Sequence, residues 1–300
     1  MKKNKIKSNS FLFNVITLMS GTAISQGITF AFIPLLTRYY TPGEFGIFAL
    51  YIAIVGTISV VASWKYELAI MLPKKEEDAQ ALLFLSIIIT VFTALLILLL
   101  IIILKNLLIG ITDKIETFYW LIPLGIFLAG LLQIFTAWNT RQEFIKNVSV
   151  SRIMQSSSIG ASQISFKFLK YNSLGLILGN IIGTSISSVV LIYEAIRKHT
   201  IRLNMISKNG ILSNFKRYDN FPKFQSFSVL INAFSQHLPI ILLISFYSPV
   251  IAGFYSLTNR ALNTPARLLG GSVRPIYYQR ASKLYNDGKG IKDFFKKTTL

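Results

Sequence analysis

Ala79 to Leu104 reads AQALLFLSIIITVFTALLILLLIIIL, and its only polar side chains are Gln80, Ser86, Thr90 and Thr93. A bilayer's hydrocarbon core is about 30 Å thick, so a helix rising about 1.5 Å per residue needs roughly 20 apolar residues to cross it. This stretch meets that length, and no soluble core helix needs apolar side chains on every face. Working outward, comparable runs place further spans at about 12–37, 45–63, 119–138, 153–169, 174–196 and 224–245, with a polar eighth at about 253–273. Gln155, Ser156, Ser157, Ser158, Gln163 and Ser165 interrupt the fifth span, and arginines interrupt the eighth. The sequence therefore predicts an all-α integral membrane protein of about eight transmembrane helices. Lys2, Lys3, Lys5 and Lys7 precede the first span in the manner of a signal peptide. Phe11 to Leu36 is too long for a signal's apolar segment, so it reads as an uncleaved first span.

Composition agrees with membrane burial. The chain is 52% hydrophobic and 14% charged, whereas an ordinary globular domain is about 25% charged. It contains no cysteine, which excludes a disulfide framework and a thiolate metal site. The formal charge of +19 comes from residues in short loops flanking the spans. That distribution fits membrane lipid headgroups and gives no soluble basic face for nucleic acid. Cytoplasmic loops carry the excess of Lys and Arg. With the N-terminus inside, 17 such residues before the eighth span fall on the cytoplasmic side. Five fall outside: Arg38, Lys105, Lys114, Lys167 and Lys170. The expected topology is a multi-pass protein with a cytoplasmic N-terminus.

The longest and most basic loop, Arg197 to Lys223, divides the chain into a six-helix lobe over 1–196, a linker over 197–223 and the start of a second lobe over 224–300. Across that boundary YYTPGEFGIFAL, Tyr39 to Leu50, aligns with FYSPVIAGFYSL, Phe246 to Leu257, at a constant offset of 207. Tyr40, Pro42, Gly46 and Leu50 recur as Tyr247, Pro249, Gly253 and Leu257. A short aromatic turn between membrane helices has much the same composition. If the match is a duplication, six intervening spans make it a parallel repeat, with its pseudo-twofold axis along the membrane normal. The second lobe would then be represented by its first hairpin.

Three stretches carry a resemblance. They are IPLLTRYYTPGEFGIFALY within Gly27 to Tyr51, WKYELAIMLPKKEEDAQALL from Trp64 to Leu83, and GFYSLTNRALNTPARLLGGSVRPIYYQRAS from Gly253 to Ser282. In order and spacing they resemble the bacterial polysaccharide biosynthesis membrane proteins, or oligosaccharide flippases, of the multidrug/oligosaccharidyl-lipid/polysaccharide exporter superfamily. The resemblance implies movement of a lipid-linked oligosaccharide, carried on a polyprenyl diphosphate, across the bacterial cytoplasmic membrane, with polysaccharide polymerase machinery as a further partner. It also implies a longer protein of about twelve to fourteen helices in two lobes, with a ninth span expected after Leu300.

Charged side chains within a span are expensive and usually face a bundle interior or water. On a helix Ser256, Arg260, Asn263, Arg267 and Arg274 share one face. Arginine's fork of donors suits phosphate oxygens, so Arg260, Asn263 and Arg267 are candidates to hold the diphosphate that the resemblance implies. The alternative is an interfacial segment whose arginines snorkel to lipid phosphates. His237 is a candidate for proton coupling, or a hydrogen-bonding partner between helices. Gln26, Gln155, Gln163 and Asn180 either line a wet cavity or bind neighbouring helices. Gly175, Gly179, Gly183 and Ser187 recur every four residues, a ridge suited to close helix packing.

No nucleophile elbow, zincin motif, P-loop or acid pair within a span is present. The expectation is a non-enzyme without cofactor or metal. Competing readings are a drug or metabolite exporter of the same superfamily, a membrane-bound polymerase or ligase, and an inactive flippase fragment. The near absence of acids in the spans argues against cation export, and the short outer loops argue against a polymerase.

Overall fold

A computed structural model of the chain describes residues 2–104, 118–201 and 207–287, with the side chains of 2–12, 104, 261 and 263–274 outside that description. It is built of helices. The long ones are α1 (Lys2–Tyr39), α2 (Pro42–Ser59), α4 (Glu76–Leu104), α5 (Leu121–Arg141), α6 (Ile145–Phe168), α7 (Ser173–Arg197), α9 (Ser226–Phe246) and α10 (Pro249–Asn286). Two short ones, α3 (Tyr66–Ala69) and α8 (Lys208–Arg217), lie in the connections, and a π turn at Phe221–Gln225 leads into α9. Among the described residues, six helices are long and apolar enough to cross a membrane: α1, α2, α4, α5, α7 and the segment Phe221–Phe246. The chain is an all-α integral membrane protein. α6 and α10 are as long but more polar, and they are the elements that hold the interrupted fifth and eighth spans of the sequence.

Local chemistry sets the boundaries. Thr41 is extended and caps α2 by accepting from the Glu44 amide, while Glu44 accepts from the Thr41 amide, with Pro42 in the first turn. This is a capping box followed by the residue best suited to a first helical turn. Ser248 repeats the device for α10, accepting from the Ile251 amide with Pro249 next. Glu76, Glu77 and Asp78 form the first turn of α4. There they oppose the positive end of the helix macrodipole.

The bundle has two ends. The turns at 40–41, 169–172 and 247–248 make one, here the hairpin end. The connections at 60–75, 142–144 and 198–225 make the other, the basic end. Each holds an apolar cluster. The hairpin-end cluster joins Tyr40, Phe45, Phe48, Tyr51, Phe118, Ile122, Leu176, Ile240, Ile244 and Ala252. The basic-end cluster joins Leu18, Tyr66, Ile70, Leu82, Trp138, Val148, Leu191 and Ile276. The small ridge on α7 packs against α6: a methyl group at Gly179 would meet Gln163, and one at Gly183 would meet Ile159 and the Gln155 carbonyl. Close helix approach through small residues is how membrane bundles gain packing energy without a hydrophobic effect between helices.

α2 lies inside the bundle, packed against α10, α9, α5 and α7. Its crossing with α10 is reciprocal. A methyl group at Gly46 would run into the Pro249 backbone, and one at Gly253 would run into the Pro42 backbone. These pairs exchange under the 207-residue offset, and Gly43 faces Val250, its own counterpart, at 3.6 Å. Contact of i with j′ and of j with i′ is the signature of a twofold relation. The two copies of the sequence repeat meet across such a relation.

Candidate functional site

α2, α6, α7, α9 and α10 enclose a cleft of about 760 Å³, within the range typical of ligand sites. α10 contributes Tyr255, Ser256, Asn259 and Arg260, and α2 contributes Phe48, Ala49 and Ile52. The offset of 207 pairs Phe48 with Tyr255, Ala49 with Ser256 and Ile52 with Asn259. The cleft thus straddles the twofold relation, with an apolar wall from one copy and a polar wall from the other. Asn180, Gln236 and His237 add polar groups, and Ile159 and Ile240 add apolar ones. Arg260 lies eleven residues along α10 from Pro249, about 16 Å at the helical rise. That is close to half the depth of a hydrocarbon core.

Arg260, His237 and Asn180 therefore come together in one cleft. Gly56 gives the His237 imidazole its place against α2, since a methyl group there would stand 2.9 Å from Nε2. The side chains of Asn263 and Arg267 lie outside the described residues. Gln155 lines a different cleft and donates to Thr184 Oγ1 at 3.4 Å. Gln163 is 1% exposed and donates to the Leu176 carbonyl at 2.9 Å, so it clamps α6 to α7 and lines neither this cleft nor the second one. Gln26 is half-buried on α1 and lines neither cleft.

The second cleft, about 680 Å³, lies near the basic end. Its walls carry Lys65, Glu67, Gln133, Arg152, Gln155 and Tyr277. Arg152, placed in a loop by the span boundaries above, is in the second turn of α6, where its Nη1 donates to Thr22 Oγ1 at 2.6 Å. α6 begins eight residues before the expected fifth span because Ile145 and Val148 join the apolar cluster. The signal for Arg152 was present: it precedes Gln155 by three residues and Ile159 by seven, the spacing of one helical face. Lys65 and Glu67 form a buried ion pair at 3.1 Å, and Ser63 donates to the same carboxylate. Trp64 and Lys65 both adopt left-handed backbone, with φ of 51° and 63°. Non-glycine residues held there store strain of about 1–3 kcal/mol each. No sequence pattern marks this pair.

At the hairpin end Lys167 bridges Glu44 at 2.9 Å and stacks over the Tyr40 ring. Burial and the neighbouring Glu44 carboxylate push the Tyr40 phenol up to about 12, and it donates to the Gln163 carbonyl at 2.7 Å. At the basic end the hydrogen bond from Lys283 holds the Glu143 carboxyl below its ordinary value. No group of residues suited to hold a metal ion occurs among the described residues.

These features meet the comparison with known families at one point. The model of a family described as polysaccharide biosynthesis protein matches residues 35–300. The chain belongs to that family. The match covers the first hairpin, the loop after α2, and α10, which are the stretches that carry the resemblance noted in the sequence. It gives this membrane protein a role in polysaccharide biosynthesis or export. No curated protein and no solved structure matches the chain.

Proposed function

We propose that the protein moves a lipid-linked oligosaccharide, carried on a polyprenyl diphosphate, from the cytoplasmic to the outer leaflet by alternating access. The observation that carries this reading is the placement of Arg260 on the polar wall of a two-faced cleft, about 16 Å along α10 from Pro249. A guanidinium at that depth carries a desolvation penalty of roughly 2.5–3.5 kcal/mol on insertion scales, which an anionic ligand offsets. Arg260 would hold diphosphate oxygens, Asn180 and Asn259 would bind polar groups beside them, and the Phe48, Ala49 and Ile52 wall would lie along apolar chain. His237 would couple the cycle to protons. The basic end is assigned to the cytoplasm by its excess of Lys and Arg, and α6 and α10 then complete eight crossings. The protein itself makes and breaks no bond in this scheme.

The test is uptake of a fluorescent polyprenyl-diphosphate oligosaccharide into proteoliposomes holding the full chain. Arg260→Gln, alone and with Arg267→Gln, is expected to reduce the rate at least tenfold, about 1.4 kcal/mol, while Arg260→Lys retains part of it. Transport undiminished in the double variant would overturn the role of these arginines.

A further inference from the structure

α10 packs on α2, α1, α9 and α5, and its two ends are held in different ways. Near its start, Gly253 rests on the Pro42 backbone and Gly46 on the Pro249 backbone, so no side chain can yield there. Near its end the hold joins the apolar seat of Ile276 to a set of polar contacts. Lys283 Nζ donates to Glu143 Oε1 at 2.6 Å, Gln279 Nε2 donates to the same oxygen at 3.3 Å, and Asn286 Nδ2 donates to the Leu72 carbonyl at 2.9 Å. The Lys283 and Glu143 side chains are 51% and 41% exposed, and exposed pairs of this kind are weak. Glu143 sits in left-handed backbone at φ 61°, in the tight connection between α5 and α6, which aims its carboxylate at α10.

This polar fastening lies beside the basic-end cleft. Pro275, Tyr277 and Tyr278 of α10 make one wall of that cleft, facing Lys65, Met71 and Thr140 of the connections and α5. Ile276, 2% exposed, seats the same segment in the basic-end cluster. A helix of 38 residues is about 57 Å long and exceeds a 30 Å hydrocarbon core by about half its length. Lys283 therefore acts in water. Between the two fastenings the sequence sets Pro265, Gly270, Gly271 and Pro275. Proline removes a backbone donor and crowds the preceding turn, and glycine weakens a helix, so bending is cheapest there.

We propose that residues 276–286 form a latch over the basic-end cleft, closed by Lys283 and Gln279 on Glu143 and by Asn286 on Leu72. Release swings the tail about the 270–275 segment while the Gly46 and Gly253 crossing stays fixed, and the cleft with Arg152 and Lys65 on its walls opens to water. The latch rests on reading the bundle as a transporter, but its test reads access to the cleft and needs no cargo, so the two can fail separately.

The chain has no cysteine, so Thr136→Cys, on the cleft wall, makes a single reporter for a membrane-impermeant maleimide in nanodiscs. Adding Glu143→Lys is expected to raise the labelling rate about fivefold, the population change that corresponds to about 1 kcal/mol. The exchange Glu143→Lys with Lys283→Glu is expected to restore the slow rate. Asn286→Ala removes the second fastening without a charge change and is expected to raise labelling in the same direction. Stiffening by Gly270→Ala and Gly271→Ala is expected to blunt the effect of Glu143→Lys. Labelling unchanged by Glu143→Lys and by Asn286→Ala, in protein whose tryptophan melting curve is that of the parent, would overturn the latch. Labelling equally fast in the charge exchange would overturn the role of the ion pair.

Discussion

Replacing Gly46 by alanine puts one carbon atom into the tightest crossing of the fold. The added methyl would lie 2.9 Å from Pro249 Cα and closer still to the Pro249 carbonyl oxygen. Nonbonded carbons rest at about 3.5–4.0 Å, so α2 and α10 must part by roughly 1 Å, a gap that forfeits up to about half of each contact's attraction. The affected surface is large, because α10 and α9 both pack on α2. Overpacking of this kind costs about 1–3 kcal/mol, which for a chain of this size lowers the melting temperature by about 2–12 °C. Gly253→Ala meets Pro42 in the reciprocal arrangement, so its effect should match that of Gly46→Ala. The double variant should melt at nearly the temperature of either single one, since helices already parted by the first methyl leave room for the second. Intrinsic tryptophan fluorescence serves as the assay: Trp138 is fully buried and reports the basic end. If either alanine is neutral, or if the two losses add in full, the reciprocal crossing is wrong.

Two further outcomes follow from the ends of the bundle. Glu44→Ala removes the carboxylate that completes the capping box of α2 and the partner of Lys167, and should destabilise by about 1 kcal/mol, whereas Lys167→Met leaves the capping box intact and should lower the tryptophan melting temperature less. The Glu143 carboxyl, held below its ordinary value by Lys283, contributes stability that is complete above the ordinary carboxylate range and lost as pH falls through the lowered value. Its exposure keeps the gain under about 1 kcal/mol. A small melting difference between the parent and Lys283→Gln at pH 7 should therefore shrink as the pH is lowered below the ordinary carboxylate range, and a difference that stays constant throughout the acid titration would assign the effect to something other than this ion pair.

The architecture was legible where one physical rule dominates. Ala79 to Leu104 can only be a span, and α4 covers it. Thr41 with Pro42 and Ser248 with Pro249 announce helix starts, and both cap the helices that follow. The glycine ridge of α7 packs as its four-residue spacing implies. Legibility failed where burial is decided by distant partners. Gln163 and Gln155 are the same residue type on the same helix, yet one is sealed between α6 and α7 by its bond to the Leu176 carbonyl and the other lines a cleft. Arg152 looked like a loop residue because charge normally ends a span, and Thr22 on α1 is what accommodates it. The Lys65 and Glu67 pair depends on two left-handed residues in succession, which neither composition nor periodicity foretells.

The mid-bundle cleft joins the repeat to the chemistry. A symmetric duplication would give it two like walls, but the positions related by 207 have diverged: Phe48, Ala49 and Ile52 face Tyr255, Ser256 and Asn259, and the counterpart of Arg260 is the fully buried Ala53. Of the two walls related by the offset, only the α10 side is polar. A ligand polar throughout would gain little from the apolar α2 wall, and an apolar one would gain little from the polar side chains of α10. The amphipathic cargo proposed for this protein, an anionic group beside an apolar chain, would match both walls. Because α10 also carries the tail that borders the basic-end cleft, the helix that holds the cation is the same helix whose bending would open the second cleft. Binding at one cleft and access at the other can then be coupled through a single element, with the Gly46 and Gly253 crossing as its fixed point.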